Sequence, residues 1–73
     1  MKTLKDLAVG QSGVIKRVMT TGALKQRFMD KGITKGTKVT VTKIAPLGDP
    51  IEIDIRQYNL SIRKNDAENI IVE

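Results

Sequence analysis

Apolar and polar residues alternate in two neighbouring segments, and each alternation predicts a half-buried β-strand. In residues 38–44, Val39 and Val41 alternate with lysine and threonine. In residues 51–56, every second residue is isoleucine and the residues between them are charged. Residues 45–50 join the two segments and contain both prolines of the chain. Because proline fixes φ and lacks an amide donor, this proline loop predicts a rigid hairpin, with Pro46 as its second turn residue.

The rest of the pattern predicts three more strands, one helix and two helical turns. The strands are expected over residues 14–19, through Leu60 and Ile62 after a link at residues 57–59, and over residues 70–72. Neighbouring apolar residues in 14–19 indicate burial on both faces of that strand. Thr3–Asp6 has the spacing of a capping box, and Asn65 is the expected cap of a helical turn over residues 65–68.

The predicted helix covers residues 23–31, with Gly32 as the left-handed residue just beyond its end. Leu24 and Phe28 are four residues apart and share the apolar stripe. Arg27 and Lys31 form a second row that faces solvent. Met29 lies at the edge of the stripe, where it suits either the core or an exposed apolar contact.

Five short strands favour a mainly β fold: a small, SH3-like, five-stranded barrel with one helix after the first strand and short helical turns near both ends. Closing the sheet removes edges that a chain of 73 residues cannot otherwise protect. We expect one domain, residues 1–73. With only Phe28 and Tyr58 as aromatic residues, the core is expected to be aliphatic.

The chain contains neither cysteine nor histidine. Disulfides, thiolate chemistry, an imidazole base and the usual zinc or iron ligand sets are therefore excluded, and an enzyme is disfavoured. The acids Asp49, Glu52, Asp54 and Glu68 are too dispersed to form a recognisable Fe(II) site. We assign no catalytic residue, no metal ligand and no cofactor.

Charge is unevenly distributed along the chain. Residues 1–43 carry ten basic and two acidic residues, whereas residues 44–73 carry three and six. This asymmetry suits either a basic binding face or charges that are simply solvated. No apolar run approaches the roughly 18 residues of a transmembrane helix, and the N-terminus lacks the apolar stretch of a signal peptide, so we expect a cytoplasmic protein.

Several segments, taken in order and spacing, resemble the ferrous iron transport protein A (FeoA) family. They are Leu4-Lys5-Asp6-Leu7 with Gly10, residues 27–33, Gly36-Thr37, residues 45–51, and Leu60-Ser61-Ile62-Arg63 with Ala67. Lys35 and Gln57 depart from the family pattern, which often has proline and glycine there. The same SH3-like module forms the C-terminal domain of iron-dependent repressors of the diphtheria toxin repressor type.

The resemblance implies a small accessory protein of bacterial ferrous iron uptake that binds the cytoplasmic GTP-binding part of a FeoB-type membrane transporter. The chain would then meet the membrane only through that partner. Its own glycines lack the Walker spacing, and no Gly-Lys-Ser/Thr triplet occurs, so any GTPase belongs to the transporter.

Six residues are candidate partner contacts: Arg27, Met29 and Lys31 in the helix, Leu47 and Asp49 in the proline loop, and Tyr58 near a hairpin tip. Each also has a purely structural interpretation, in which Leu47 folds back onto the core and the basic pair is ordinary surface. Our hypothesis is that the helix and the proline loop form one docking face.

Other classes of function stay open. A stand-alone SH3-like module of the repressor type would bind a proline-rich or hydrophobic peptide in a groove. A basic barrel also suits nucleic acid, but two aromatic residues offer little stacking surface and the acidic second half repels phosphate, so none is expected. Unpaired strand edges would allow weak association between copies of the chain.

Overall fold

The computed structural model describes residues 2–73, which form a five-stranded antiparallel sheet in the order β4-β3-β2-β1-β5. The elements are a 3-10 turn (Leu4–Asp6), β1 (Ser12–Val18), α1 (Gly22–Asp30), β2 (Lys38–Ile44), β3 (Ile51–Ile55), β4 (Tyr58–Ile62), α2 (Lys64–Ala67) and β5 (Ile70–Val72). This order confirms a mainly β chain with one substantial helix after the first strand. Within residues 2–73, no helix is both long enough and apolar enough to cross a membrane.

Strand β1 is shared between two partners. Its first part pairs with β2, where Ser12 lies opposite Thr40, and its second part pairs with β5, where Val18 lies opposite Ile70. Gly13 sits at the crossover, where an added Cβ would lie 3.1 Å from the Val72 Cβ. The absence of a side chain there therefore allows the end of β5 to approach β1 closely.

The core is aliphatic and follows the predicted alternation. Val39 and Val41 on β2 and every second residue of β3 point inward and are buried, as expected. The other buried members come from all parts of the fold: Leu4, Leu7, Ile15, Phe28, Ile33, Ile62, Ala67, Ile70 and Val72. The sheet therefore curls around a single cluster into which α1 inserts Phe28.

Helix α1 lies one residue earlier than predicted, and Gly32 is the left-handed residue beyond its end, as predicted. Gly32 has a φ of 89° and donates its amide to the carbonyl of Met29 at 3.0 Å, while the amide of Ile33 bonds to the carbonyl of Phe28 at 2.9 Å. These two bonds form a Schellman motif, in which a left-handed residue closes the helix. Because Ile33 and Phe28 are both buried, the motif also fixes the helix against the core.

The prediction that β1 is buried on both faces is wrong. Val14 remains 38% exposed and Met19 remains 47% exposed, whereas Ile15 between them is buried. The strand has neighbours on both edges, but one of its faces lies toward solvent rather than toward a second layer. It also begins two residues earlier than predicted and ends at Val18.

The link between β3 and β4 is shorter than predicted. Ile55 pairs directly with Tyr58, so the turn consists of Arg56 and Gln57 rather than residues 57–59. Both turn residues have positive φ, 49° and 72°. A two-residue hairpin favours this left-handed conformation because it matches the twist of the strands, and Gln57 adopts it without being glycine.

Thr3 and Asp6 interact as the capping-box spacing predicts. The Asp6 Oδ2 atom accepts a hydrogen bond from the Thr3 backbone amide at 2.9 Å, and the Asp6 amide donates to the Thr3 carbonyl at 2.9 Å. The predicted cap of α2 is wrong. Helix α2 covers Lys64–Ala67, and its cap position is Arg63 rather than Asn65.

Candidate functional site

The proline loop is a tight turn fixed by its own backbone. Pro46 occupies the second position, as predicted, because the amide of Gly48 donates to the carbonyl of Ala45 at 2.7 Å. The amide of Ala45 donates in turn to the carbonyl of Pro50 at 3.1 Å, just before β3 begins. The peptide bond between Asp49 and Pro50 is cis. The two backbone hydrogen bonds close the loop at its tip and across its base.

Leu47 lies at the tip of the proline loop with 94% of its surface exposed. It does not fold back onto the core, so the structural interpretation of this residue is wrong. Asp49 is engaged within the chain instead, since its Oδ1 atom accepts a hydrogen bond from the Lys64 amide at 3.1 Å. The loop thus presents Leu47 outward, while Asp49 ties the loop to α2.

The three candidate contacts in and just after α1 are all at the surface. Arg27 and Lys31 are exposed, and Met29 is 48% exposed. Within residues 2–73 the only ion pair joins Lys5 and Glu68, at 3.1 Å, so neither Arg27 nor Lys31 is paired with a carboxylate. Tyr58, the first residue of β4, is 69% exposed beside the two-residue turn.

The candidate residues lie near both ends of β3. A Cβ added to Gly32 would lie 3.3 Å from Arg56 Cδ, which places the C-terminal end of α1 beside the β3–β4 turn. The proline loop lies at the opposite end of β3, roughly 13 Å away at about 3.3 Å per residue. The helix end and the proline loop therefore lie near opposite ends of β3, and a single docking face that spans both stays a prediction.

A groove between β1 and α1 was not predicted. We call it the basic groove, and its volume is about 370 Å³. Its lining comprises Lys16, Arg17, Val18, Lys25, Met29, Ile33, Thr34 and Lys35. An adjoining depression of about 390 Å³ shares three of the cations and adds Ile71. Of the predicted contacts, only Met29 lies in this groove.

The excess of basic residues in the first 43 positions was the one signal of the groove in the sequence. The cations of the groove come together because of where α1 lies relative to β1, which no local sequence pattern reveals. Among residues 2–73, no group of three or more acidic side chains is placed to hold a metal ion. The candidate binding features are the proline loop, the β3–β4 turn and the basic groove.

Comparisons with known proteins give a consistent result. A family model described as the FeoA domain matches residues 2–73. A fusion of Fe(2+) transport protein A with the Fe(2+) transporter FeoB from Porphyromonas gingivalis is 40% identical over 70 residues. That match covers 96% of this chain but only 8% of the fusion protein.

Two solved structures of similar sequence share the fold. Iron(II) transport protein A from Clostridium thermocellum has a TM-score of 0.94 and 35% identity, over 97% of this chain and 44% of that one. The FeoA protein from Chlorobium tepidum has a TM-score of 0.91 and 38% identity, over 97% of this chain and 68% of that one.

More distant structures show the fold alone. A zinc complex of FeoA from Stenotrophomonas maltophilia, described as a prokaryotic SH3 domain protein, has a TM-score of 0.88 and 23% identity over 100% of this chain and 91% of that one. The repressor IdeR from T. acidophilum has a TM-score of 0.83 and 16% identity, over 94% of this chain and 32% of that one. The SH3-like architecture and the likeness to metal-dependent repressors are thereby confirmed.

Proposed function

Because the chain belongs to the FeoA family, we propose that it is an accessory protein of ferrous iron uptake which binds the cytoplasmic GTP-binding part of a FeoB-type transporter. The observation that carries this proposal is the fusion protein of Porphyromonas gingivalis, which holds a FeoA part and a FeoB transporter in one polypeptide. Covalent linkage keeps two parts at high effective concentration, which favours a functional contact between them. The proposed location is the cytoplasmic side of the membrane.

Leu47 is the proposed main contact with the transporter. Its side chain is held at the tip of a loop that is already ordered, so a partner has little conformational entropy to remove. Burying an exposed leucine contributes about 2 kcal/mol, which corresponds to roughly 30-fold in affinity. Asp49 supports this contact by fixing the loop to α2.

Arg27, Lys31 and Tyr58 are proposed as secondary contacts near the other end of β3. Arg27 is the stronger candidate of the two cations because arginine is enriched at interface hot spots. An exposed tyrosine offers a large apolar body with a polar tip, which also suits an interface.

The test is a binding assay with the purified cytoplasmic domain of the FeoB-type transporter from the same organism. Leu47→Asp is compared with Val9→Asp, since Val9 is another exposed apolar residue in a turn, with 57% of its surface exposed. We expect Leu47→Asp to weaken binding at least about 10-fold and Val9→Asp less than about 2-fold. Equal binding by both variants would show that Leu47 is not part of the interface. If the parent protein itself does not bind the domain, the proposed partner is rejected.

A further inference from the structure

Four cationic side chains line the basic groove from both of its sides. Lys16 and Arg17 come from β1, Lys25 comes from α1, and Lys35 comes from the segment that follows α1. No aspartate or glutamate is among the lining residues, and within residues 2–73 none of the four cations takes part in an ion pair. Like charges facing one another across a concave surface raise the local positive potential, so this groove attracts an anionic ligand.

A β-bulge explains how two consecutive residues of β1 both reach the groove. Arg17 lies opposite Ile71 and Ile15 lies opposite Val72, so the pairing shifts at Lys16, which has no partner of its own. In a regular strand, Lys16 and Arg17 would point to opposite faces of the sheet. Because a bulge re-aims a side chain, it accounts for both cations lining one groove.

The basic groove also has an apolar part. Val18 and Met29 line it above the buried Ile33, and Met29 has 48% of its surface exposed. Met29 lies four residues after Lys25 on α1, so the two side chains share one face of the helix. Methionine adapts to irregular apolar partners because it is unbranched and polarizable. A small inorganic anion would leave this apolar surface unused.

We propose that the basic groove binds a peptide segment that is rich in acidic residues and carries at least one apolar side chain. The carboxylates would pair with Lys16, Arg17 and Lys35, and the apolar side chain would contact Met29. The groove and the adjoining depression share those three cations, so the same positive charges face both of them. This inference concerns a surface other than the proline loop and stands whether or not the chain acts on a FeoB-type transporter.

The charge contribution is tested by fluorescence anisotropy with a labelled peptide of alternating glutamate and leucine. Arg17→Glu and Lys35→Glu each reverse one charge of the groove, and Lys43→Glu makes the same change at an exposed lysine of β2 outside the groove. We expect each groove variant to weaken binding about 5- to 10-fold and the control less than about 2-fold. Affinity is also expected to fall as salt is added, since these charges lie at the surface.

The apolar contribution is tested with Met29→Gln and a second labelled peptide that contains only glutamate. We expect Met29→Gln to weaken binding of the glutamate-leucine peptide about 3- to 5-fold, because a polar amide replaces part of the apolar lining. Binding of the glutamate peptide is expected to change less than about 2-fold, since Met29 carries no charge. Circular dichroism is used to check that every variant is folded. If Lys35→Glu is unfolded, Lys35→Ala is used in its place.

Three results would overturn the proposal. The first is groove variants that bind the glutamate-leucine peptide no differently from Lys43→Glu. The second is an unchanged affinity of Met29→Gln for that peptide, which would leave a site for negative charge alone. The third is a parent protein that binds neither peptide but binds phosphatidylserine vesicles, with vesicle binding lost in Arg17→Glu. This result would identify a lipid surface as the ligand of the groove. The peptide assay uses no transporter, so failure of the transporter assay leaves it unaffected.

Discussion

The Asp49 carboxylate accepts a hydrogen bond from the Lys64 backbone amide, with 3.1 Å between Oδ1 and N. Lys64 is the first residue of α2, and its amide has no partner within the helix. The cap residue, Arg63, provides no side-chain oxygen for it. An aspartate from the proline loop, 15 residues earlier, therefore does what a local cap residue usually does, and it joins the loop to the helix.

Replacing Asp49 by alanine is expected to destabilise the protein by about 1 kcal/mol, the usual effect of losing a capping acceptor. For a domain of this size, such a loss lowers the melting temperature by about 4–8 °C. Thermal unfolding followed by circular dichroism measures the effect. Asp49→Asn keeps an acceptor oxygen and should retain most of the stability. Equal losses in both variants would indicate that the charge of the carboxylate, rather than the hydrogen bond, is what matters.

Local features of the chain were predictable from sequence. Pro46 fixes its own φ, so its place in the turn depends on no distant residue. The alternation around Val39 and Ile53 likewise identifies the buried face of two strands, because every second side chain points the same way. The motif that closes α1 needs only a residue that tolerates positive φ at position 32, and glycine provides it.

Features that depend on distant contacts were not predictable. Asn65 has the right chemistry to cap a helix, but Asp49 reaches the first amide of α2 from another part of the chain. The exposure of Val14 depends on which face of β1 is left uncovered. The groove around Lys16 depends on a bulge set by the pairing of β1 with β5. Sequence patterns describe neighbours along the chain, and these features arise from neighbours in space.

Gly32 and Gly36 provide a matched pair for measuring a contact of α1. Both have a φ of 89°, so an alanine at either position carries the same left-handed strain of about 1–2 kcal/mol. A Cβ at Gly32 meets Arg56 Cδ at 3.3 Å, whereas one at Gly36 meets nothing within 4 Å. Because the Arg56 side chain is flexible, we expect Gly32→Ala to cost at most about 0.5 kcal/mol more than Gly36→Ala in urea unfolding. A difference above about 1 kcal/mol would show that Arg56 is held against α1.

The turn between β3 and β4 offers a stabilising substitution. Gln57 has a φ of 72°, which costs a side-chain-bearing residue about 1 kcal/mol, while glycine there loses about 0.5 kcal/mol of chain entropy. Gln57→Gly is therefore expected to stabilise the protein by roughly 0.5 kcal/mol, measured by thermal unfolding. Gln57→Val should destabilise it, since a β-branched residue tolerates positive φ poorly. A loss of stability in the glycine variant would contradict the left-handed turn.

The Asp6 carboxyl group should make stability depend on pH in the acidic range. The hydrogen bond from the Thr3 amide lowers the pKa of Asp6 below its ordinary value of 3.8. The folded state therefore favours the ionised group, and its contribution to stability is present above the unfolded pKa and is lost as the pH falls through the folded pKa. In urea unfolding from neutral pH down to about pH 2.5, the parent protein should exceed Asp6→Asn in stability near neutrality, and the two should converge in acid. If the difference in stability between the parent protein and Asp6→Asn stays constant with pH, it arises from the shape of the side chain rather than from its ionisation.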